Sequence, residues 1–464
     1  MASEWVVNEL EGINIGDLRL NKRIMHLLEK ASKQPLVSIN KMFHTRKEVQ
    51  ACYRFFSNDL VDEAKIITPH IQNTFDRSSH HPVLLSLSDT TSLNYTTRKT
   101  QKDSGYISSN NAQGFFLHAN IVVTPDRLHL GIGSQKIWAR EKEKPGRSLR
   151  EYKPFIEKES YRWLEAYRDS CKLAENCQAS QVVHITDREG DIFEIFAEYE
   201  SQLKHGIAAE YIVRSNHNRT VYCQGKSSST LIEELEGARK IGEISFEIIN
   251  RDNNTIRRVR QSVQGISVEI KSRYGADTPN IKTSLNAIYL KEIDHPEGEK
   301  PVIWCLLTSL SINSLEDIMK VVNYYLCRWE IEVFFKTYKS GCKVEEKSLR
   351  SAERLYPLFS FFLIVAWRIN FLLHMSRVNP NLSCDVFFEE SEWKAGYVAA
   401  TRDRTPPSTP PTMKEMMGYI GKLGGHLGRK NDPYPGVKAI WTGICKLTNY
   451  ADAWDLFGPG ATKK

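Results

Sequence analysis

The chain has 464 residues, of which 41% are hydrophobic, 10% aromatic and 26% charged. That balance belongs to a folded, soluble protein of two or three domains and excludes a disordered tail or a small stapled scaffold. A formal net charge of +7 is a mild basic excess, which permits a nucleic-acid partner without requiring one.

Residues 1–12 lack the basic start, apolar middle and small-residue cleavage site of a secretory signal. The longest apolar run, 358–367, stops at Arg368, short of a bilayer span, and reads as a buried helix. A cytoplasmic protein with no membrane partner is therefore expected. The nine cysteines are scattered and form no Cys-x-x-Cys pair, which argues against a zinc or disulfide framework and for reduced thiols.

Residues 1–75 read as helical and basic. After Gly16-Asp17, Leu18, Ile24, Leu27 and Leu28 form one apolar side of a helix whose other side carries Arg19, Lys22, Arg23 and Lys30. A second helix starting near Thr45 interleaves Arg46, Lys47 and Arg54 with Tyr53, Phe55 and Phe56. Such a module can lay cations along phosphates, although a helical cap with a solvated basic face fits the same pattern.

From Pro82 the period changes to two. A strand over 83–88 delivers Asp89 to the polar turn Thr90-Thr91-Ser92. Strands over 114–123 and 128–137 follow as a meander joined at Thr124-Pro125-Asp126, and residues 139–162 read as a charged, exposed loop before a helix over 161–173. The short strand 181–186 ends on another acid, Asp187, in the sequence Asp187-Arg188-Glu189-Gly190-Asp191-Ile192. Asp is also a common cap and strand-ending residue, so each acid alone is weak evidence.

Residues 214–308 have β character throughout. Strands over 244–249 and 256–263 flank the turn 250–254, strands over 266–270 and 287–292 follow, and Arg257, Arg258, Arg260, Lys271 and Arg273 give a basic face. A buried strand over 302–308 carries Trp304, which reads equally well as a core residue.

A single long helix is expected over 314–339, because Ser314 and Asp317 form a capping box and no Gly or Pro appears before Gly341. With Tyr325 at zero, Arg328 falls near about 300°, Glu332 near about 340°, Lys336 near about 20° and Lys339 near about 320°. These five residues share one stripe, whereas Glu330 points about 140° away. A solvated face with i,i+4 ion pairs has the same pattern, and position does not distinguish a phosphate contact from a surface lysine at Lys336. Further helices are expected over 352–375, 413–423 and 437–457, with the proline cluster 405–411 as a linker.

Asp89, Asp187 and Glu332 together are three hard oxygen donors, a set suited to Mg2+ or Mn2+. Two such ions can activate a nucleophile and stabilise the leaving oxygen in an attack on a phosphodiester. Cations beside Glu332 fit phosphoryl transfer on a polyanion.

Asp89-Thr90-Thr91, the Asp187-to-Ile192 run and the series Tyr325-x-x-Arg328-x-x-x-Glu332-x-x-x-x-x-x-Lys339 resemble the motifs of DDE transposases of the insertion-sequence 4 family. The likeness extends through Tyr53-Arg54-Phe55, Lys158-Glu159-Ser160, Val213-Arg214-Ser215 and Trp304. It implies an α/β fold: a ribonuclease-H-like catalytic domain, with a mixed sheet flanked by helices and a β-rich insertion, plus helical N- and C-terminal domains. The implied boundaries are 1–75 for DNA-end binding, 76–375 for catalysis with the insertion at about 214–308, and 376–464 for dimerisation.

The implied activity is cut-and-paste transposition at terminal inverted repeats. Its steps are nicking by water, hairpin formation by the freed 3′-hydroxyl, hairpin opening and strand transfer into target DNA, within a paired complex of two subunits and two double-stranded ends. The resemblance assigns Asp89, Asp187 and Glu332 to two Mg2+ ions per active site, with Mn2+ as a substitute, and Tyr325, Arg328 and Lys339 to the DNA terminus. It also assigns Trp304 to a flipped base and Arg214 to a DNA contact from the insertion. Lys336, Arg19, Lys22, Arg23 and Arg54 are the remaining DNA-binding candidates, and the implied location is a bacterial nucleoid. Glu330 departs from the family pattern, which has a basic residue there, and the N-terminal extremity and 384–413 match poorly. Two other readings stay open: a transposase-derived protein that pairs or inhibits DNA ends without catalysis, and another ribonuclease-H-like nuclease.

Overall fold

Val83–Asn94 is a single strand within which the chain leaves one compact unit and enters another. One unit comprises Ser78–Asp89 and Lys144–Trp329, and the other Met1–Arg77, Thr90–Glu143 and Glu330–Lys464. The computed structural model describes residues 3–97, 104–108, 111–140, 153–177, 179, 181–223, 228–249, 256–272, 281–349, 351–429 and 432–459. The expected turn at 250–254, Arg273 and residues 141–152 of the charged loop 139–162 lie outside the described residues.

In the unit containing Lys144–Trp329, the first half of that strand pairs in parallel with Gln181–Thr186, in register from Val83 with Gln181 to Ser88 with Thr186. Gln181–Thr186 pairs in parallel with Glu210–Arg214, which pairs antiparallel with Ile303–Thr308. The β-rich insertion continues from there: Ile303–Thr308 pairs with Lys282–Ile293, that strand with Ile256–Lys271, and the last with Lys240–Ile249. Leu84, Leu85, Leu87, Val183 and Ile185 are fully buried, the near-continuous apolar burial of parallel strands covered on both faces. Helix Tyr161–Asn176 contributes buried Trp163 and Tyr167, and the Tyr167 hydroxyl donates to the Ala209 carbonyl at 2.8 Å. Two strands expected at 256–263 and 266–270 are one, because Gly265 stays in the ladder opposite Ile288.

In the other unit, Tyr95 N–H donates to the Gln113 carbonyl at 2.8 Å, and Gln113–Val123 runs antiparallel to His129–Trp138. The turn between them places Arg127 at φ 66° and is closed by Thr124, whose Oγ1 accepts from Leu128 N–H at 3.1 Å. Helix Ala352–Val378 is apolar around its circumference and forms the centre of this unit. It is long and apolar enough to cross a membrane over Glu353–Val378, but 94% of that window is buried inside the protein, as in a core helix. Helices Glu390–Thr401, Met413–Leu423 and Val437–Phe457 pack together, and a Cβ at Gly443 would lie 1.9 Å from the Ile420 carbonyl oxygen. Glu390–Thr401 was missing from the elements expected at the sequence level.

The helix expected over 314–339 is three pieces. Ser314 caps Leu315–Leu326 with the expected box, a second helix covers Trp329–Lys336, and Thr337–Gly341 is π-helical. The break needs no Gly or Pro: Cys327 N–H and Arg328 N–H bond to carbonyls three residues back, at 3.1 and 2.9 Å, and these tighter turns end the first helix. The 100° stripe therefore does not run straight through all five polar residues. The strand expected to stop before Asp89 instead continues to Asn94, since Thr90 to Ser92 are β-competent and Asp89 sits within the ladder rather than in a turn.

Candidate functional site

The register that aligns Ser88 with Thr186 brings Asp89 and Asp187 side by side at the C-terminal ends of two neighbouring parallel segments. Adjacent strands are about 4.8 Å apart, close enough for two carboxylates to share one cation. Both acids are half-buried. Asp187 also caps the turn Arg188–Gly190, its Oδ1 accepting from Glu189 N–H at 2.8 Å. Arg328 lies 3.7 Å from Asp89 Oδ2, so a cation already faces this edge.

Asp191, in the same sequence motif, is different. It is buried, accepts from Asn216 N–H at 2.6 Å and His217 N–H at 3.0 Å, and pairs with Arg219, so it pins the turn after Arg214.

Trp304 and Tyr325 meet edge to face at 5.7 Å, and Phe246 stacks on Trp304 at 5.9 Å. Tyr325 is only 5% exposed. Burial raises its hydroxyl above the usual range, and the nearby Arg328 and Arg214 guanidiniums oppose that rise. The Arg328 guanidinium lies 6.0 Å from the centre of the Tyr325 ring. Arg214 Nη2 donates to the Ile303 carbonyl at 3.4 Å.

Glu332 and Lys336 belong to Trp329–Lys336, in the unit that contains Glu330–Lys464; Glu332 is half-buried and Lys336 exposed. Lys339, on the π-helical turn of the same unit, donates to the Ser92 carbonyl at 2.8 Å and lies 3.5 Å from Glu345. Glu345 in turn accepts from Asn94 N–H at 2.7 Å.

Among the N-terminal candidates, Arg19, Lys22 and Arg54 are exposed and Arg23 is half-buried. Arg19 is paired with Asp17, the cap of its own helix, at 2.8 Å. Thr45 caps Arg46–Phe56 with a full capping box. This basic module docks within its unit onto the C-terminal helices: Thr448 Oγ1 donates to the Lys33 carbonyl at 2.8 Å and Gln34 to the Cys445 carbonyl at 3.2 Å.

One cluster escaped sequence reasoning. His129, Glu330 and His374 converge in the unit that holds all three, with both imidazole Nε2 atoms 3.3 Å from Glu330 Oε2. The residues lie 201 and 44 positions apart along the chain, and the only available signal was an acid at a position where the family pattern has a base.

A family model described as Transposase DNA-binding matches residues 2–61, and one described as Transposase Tn5 dimerisation domain matches residues 364–455. The first covers Arg19, Lys22, Arg23 and Arg54, and the second covers the core helix from its middle onward through the C-terminal bundle. A DNA-binding module and a dimerisation module at the two ends of one chain, in that order, support a Tn5-like transposase.

Proposed function

We propose that the protein excises and inserts a mobile DNA element, with Asp89, Asp187 and Glu332 as the acidic ligands of two Mg2+ ions, Mn2+ being a competent substitute. The observation carrying this reading is the pairing of Asp89 and Asp187 on adjacent parallel segments, in a chain whose ends match transposase DNA-binding and dimerisation domains. The donor set fits the ions: two half-buried carboxylates offer the hard oxygen ligands that Mg2+ selects. When bound, the ions supply activation of the attacking water or 3′-hydroxyl and relieve charge at phosphorus.

The remaining chemistry belongs to this chain's own side chains. Arg328 and Arg214, beside Tyr325, would grip nonbridging oxygens of the DNA terminus, with Lys339 and Lys336 as further phosphate contacts. Trp304, with Phe246 stacked on it, would offer an aromatic face to a base displaced from the end when hairpin formation bends the backbone. Arg19, Lys22, Arg23 and Arg54 would contact the terminal repeats. We read 1–75, 76–375 and 376–464 as the DNA-end-binding, ribonuclease-H-like catalytic and dimerisation modules. The parallel pairing of Val83–Ser88 with Gln181–Thr186, and of that strand with Glu210–Arg214, supports that architecture.

The test is cleavage of a duplex carrying the element's own terminal repeat in Mg2+. Asp89→Ala, Asp187→Ala and Glu332→Ala should each lower nicking by more than about 100-fold, since losing a direct ligand exceeds the usual penalty for disturbing a metal's surroundings, while gel-shift binding of the end persists. Retained cleavage in any one of them removes that residue from the ion site. Trp304→Ala should spare the first nick and reduce hairpin yield; a normal hairpin yield rejects the base-stacking role.

A further inference from the structure

The geometry points to a second metal site in this protein, a zinc site with three protein ligands, His129 Nε2, Glu330 Oε2 and His374 Nε2, and a fourth position for water, separate from the carboxylates proposed for phosphoryl transfer. All three side chains are essentially buried, at 1%, 5% and 2% exposure, and their ligand atoms lie within 4.8 Å of one another. Each Nε2 is 3.3 Å from the same carboxylate oxygen. Charge-assisted N–H···O bonds close to about 2.7–2.9 Å, so the three groups stand further apart than hydrogen bonding alone would draw them. A tetrahedral ion with bonds of about 2.0–2.1 Å spaces its ligands about 3.3–3.4 Å apart, and the two histidine-to-Glu330 distances match that spacing. Two imidazole nitrogens and one carboxylate oxygen form a donor set suited to zinc and poorly suited to Mg2+ or Ca2+, which favour all-oxygen shells.

The surroundings support ligation. Arg127 lies 3.6 Å from Glu330 Oε1, the oxygen turned away from the imidazoles. The Trp367 indole donates to the His129 carbonyl at 3.0 Å and fixes that residue's backbone. These partners orient ligands in the way that outer contacts do in established metal sites.

The site would tie together the start of the His129–Trp138 strand, the core helix Ala352–Val378 and helix Trp329–Lys336. Glu330 precedes Glu332 by two residues on that last helix, so Glu330, His129 and His374 would be positioning residues for the segment bearing Glu332. The metal claim itself does not depend on the transposase reading.

The experiment uses the full chain without DNA. Protein stripped with chelator is given stoichiometric Zn2+ or Co2+, passed over a gel-filtration column, and assayed for retained metal and for visible absorption. One zinc per chain and the intense visible bands of four-coordinate Co2+ are expected. Glu330→Gln and His374→Gln should each weaken retention by at least about 10-fold, whereas Asp187→Ala should retain zinc as the wild type does. Absence of retained metal in the wild type, weak octahedral Co2+ bands, or zinc lost in Asp187→Ala but kept in Glu330→Gln would each overturn the proposal. If the single variants misfold by circular dichroism, the wild-type Co2+ spectrum decides alone. Loss of DNA cleavage with zinc retained would count against the proposed function and leave this site standing.

Discussion

The edge bearing Asp89 and Asp187 and the cluster around Glu330 are both built on carboxylates, but they treat charge in opposite ways. At the edge the acids are half-exposed, one is paired with Arg328 at 3.7 Å, and the backbone register alone sets them side by side. Around Glu330 the charge is sealed, with Oε2 facing two buried imidazoles and Oε1 facing the exposed Arg127. An open carboxylate keeps water and remains able to bind an ion or a phosphate at little cost to the fold, whereas a sealed one contributes to stability only as long as every partner stays. The first arrangement suits a reacting site and the second a fixed one.

The largest separation of the two should come from Asp187→Asn. Cleavage should fall by more than about 100-fold while the urea midpoint stays near wild type; a large loss of stability would make the edge structural after all. Next comes Glu330→Ala, which strips the acceptor from two buried imidazoles and should cost about 3 kcal/mol or more in urea unfolding. A change under about 1 kcal/mol would show that the cluster opens to water.

A third test uses Lys347, another sealed charge in the same unit as Glu330. It is 2% exposed, donates to the Val37 carbonyl at 2.6 Å and the Pro35 carbonyl at 3.3 Å, and burial pushes it from 10.5 down to about 8. Because the folded value lies below the unfolded one, the penalty is fully present below about pH 8 and is relieved as pH rises through about 10.5. Between those limits the wild type should gain about 2–3 kcal/mol relative to Lys347→Met; parallel pH profiles would contradict this. The smallest effect should be Ser314→Ala. Its Oγ accepts from Asp317 N–H at 3.1 Å at the start of the helix that carries Tyr325, so about 1 kcal/mol should be lost, with cleavage reduced only modestly.

Local signals in the sequence were enough where one element decides the outcome. Asp17, Thr45 and Ser314 cap their helices as their side chains dictate, and Gln181–Thr186 falls on its apolar run. The neighbouring placement of the segments that lead into Asp89 and Asp187 was legible because each is an apolar run followed by an acid. What the sequence could not show was set by hydrogen bonds that only the folded chain reveals, some local and some from distant partners. Cys327 and Arg328 look helical, and only the three-residue hydrogen bonds of the folded chain break the helix there. Asp191 looked like its neighbour Asp187 until the turn at Asn216 to Arg219 closed over it. Glu330 seemed a harmless departure because its two imidazole partners come from distant parts of the chain.

The division of the chain also bears on its birth at the ribosome. The unit that holds the basic N-terminal helices is assembled from three separate stretches, the last beginning at Glu330, while the other unit needs nothing beyond Trp329. The insertion-bearing unit can therefore finish folding while synthesis is still under way. The N-terminal helices must wait: Lys33 and Gln34 meet Thr448 and Cys445 only after almost the whole chain has emerged. For most of its time as a nascent chain, the segment matched as DNA-binding lacks the helices that later cover it.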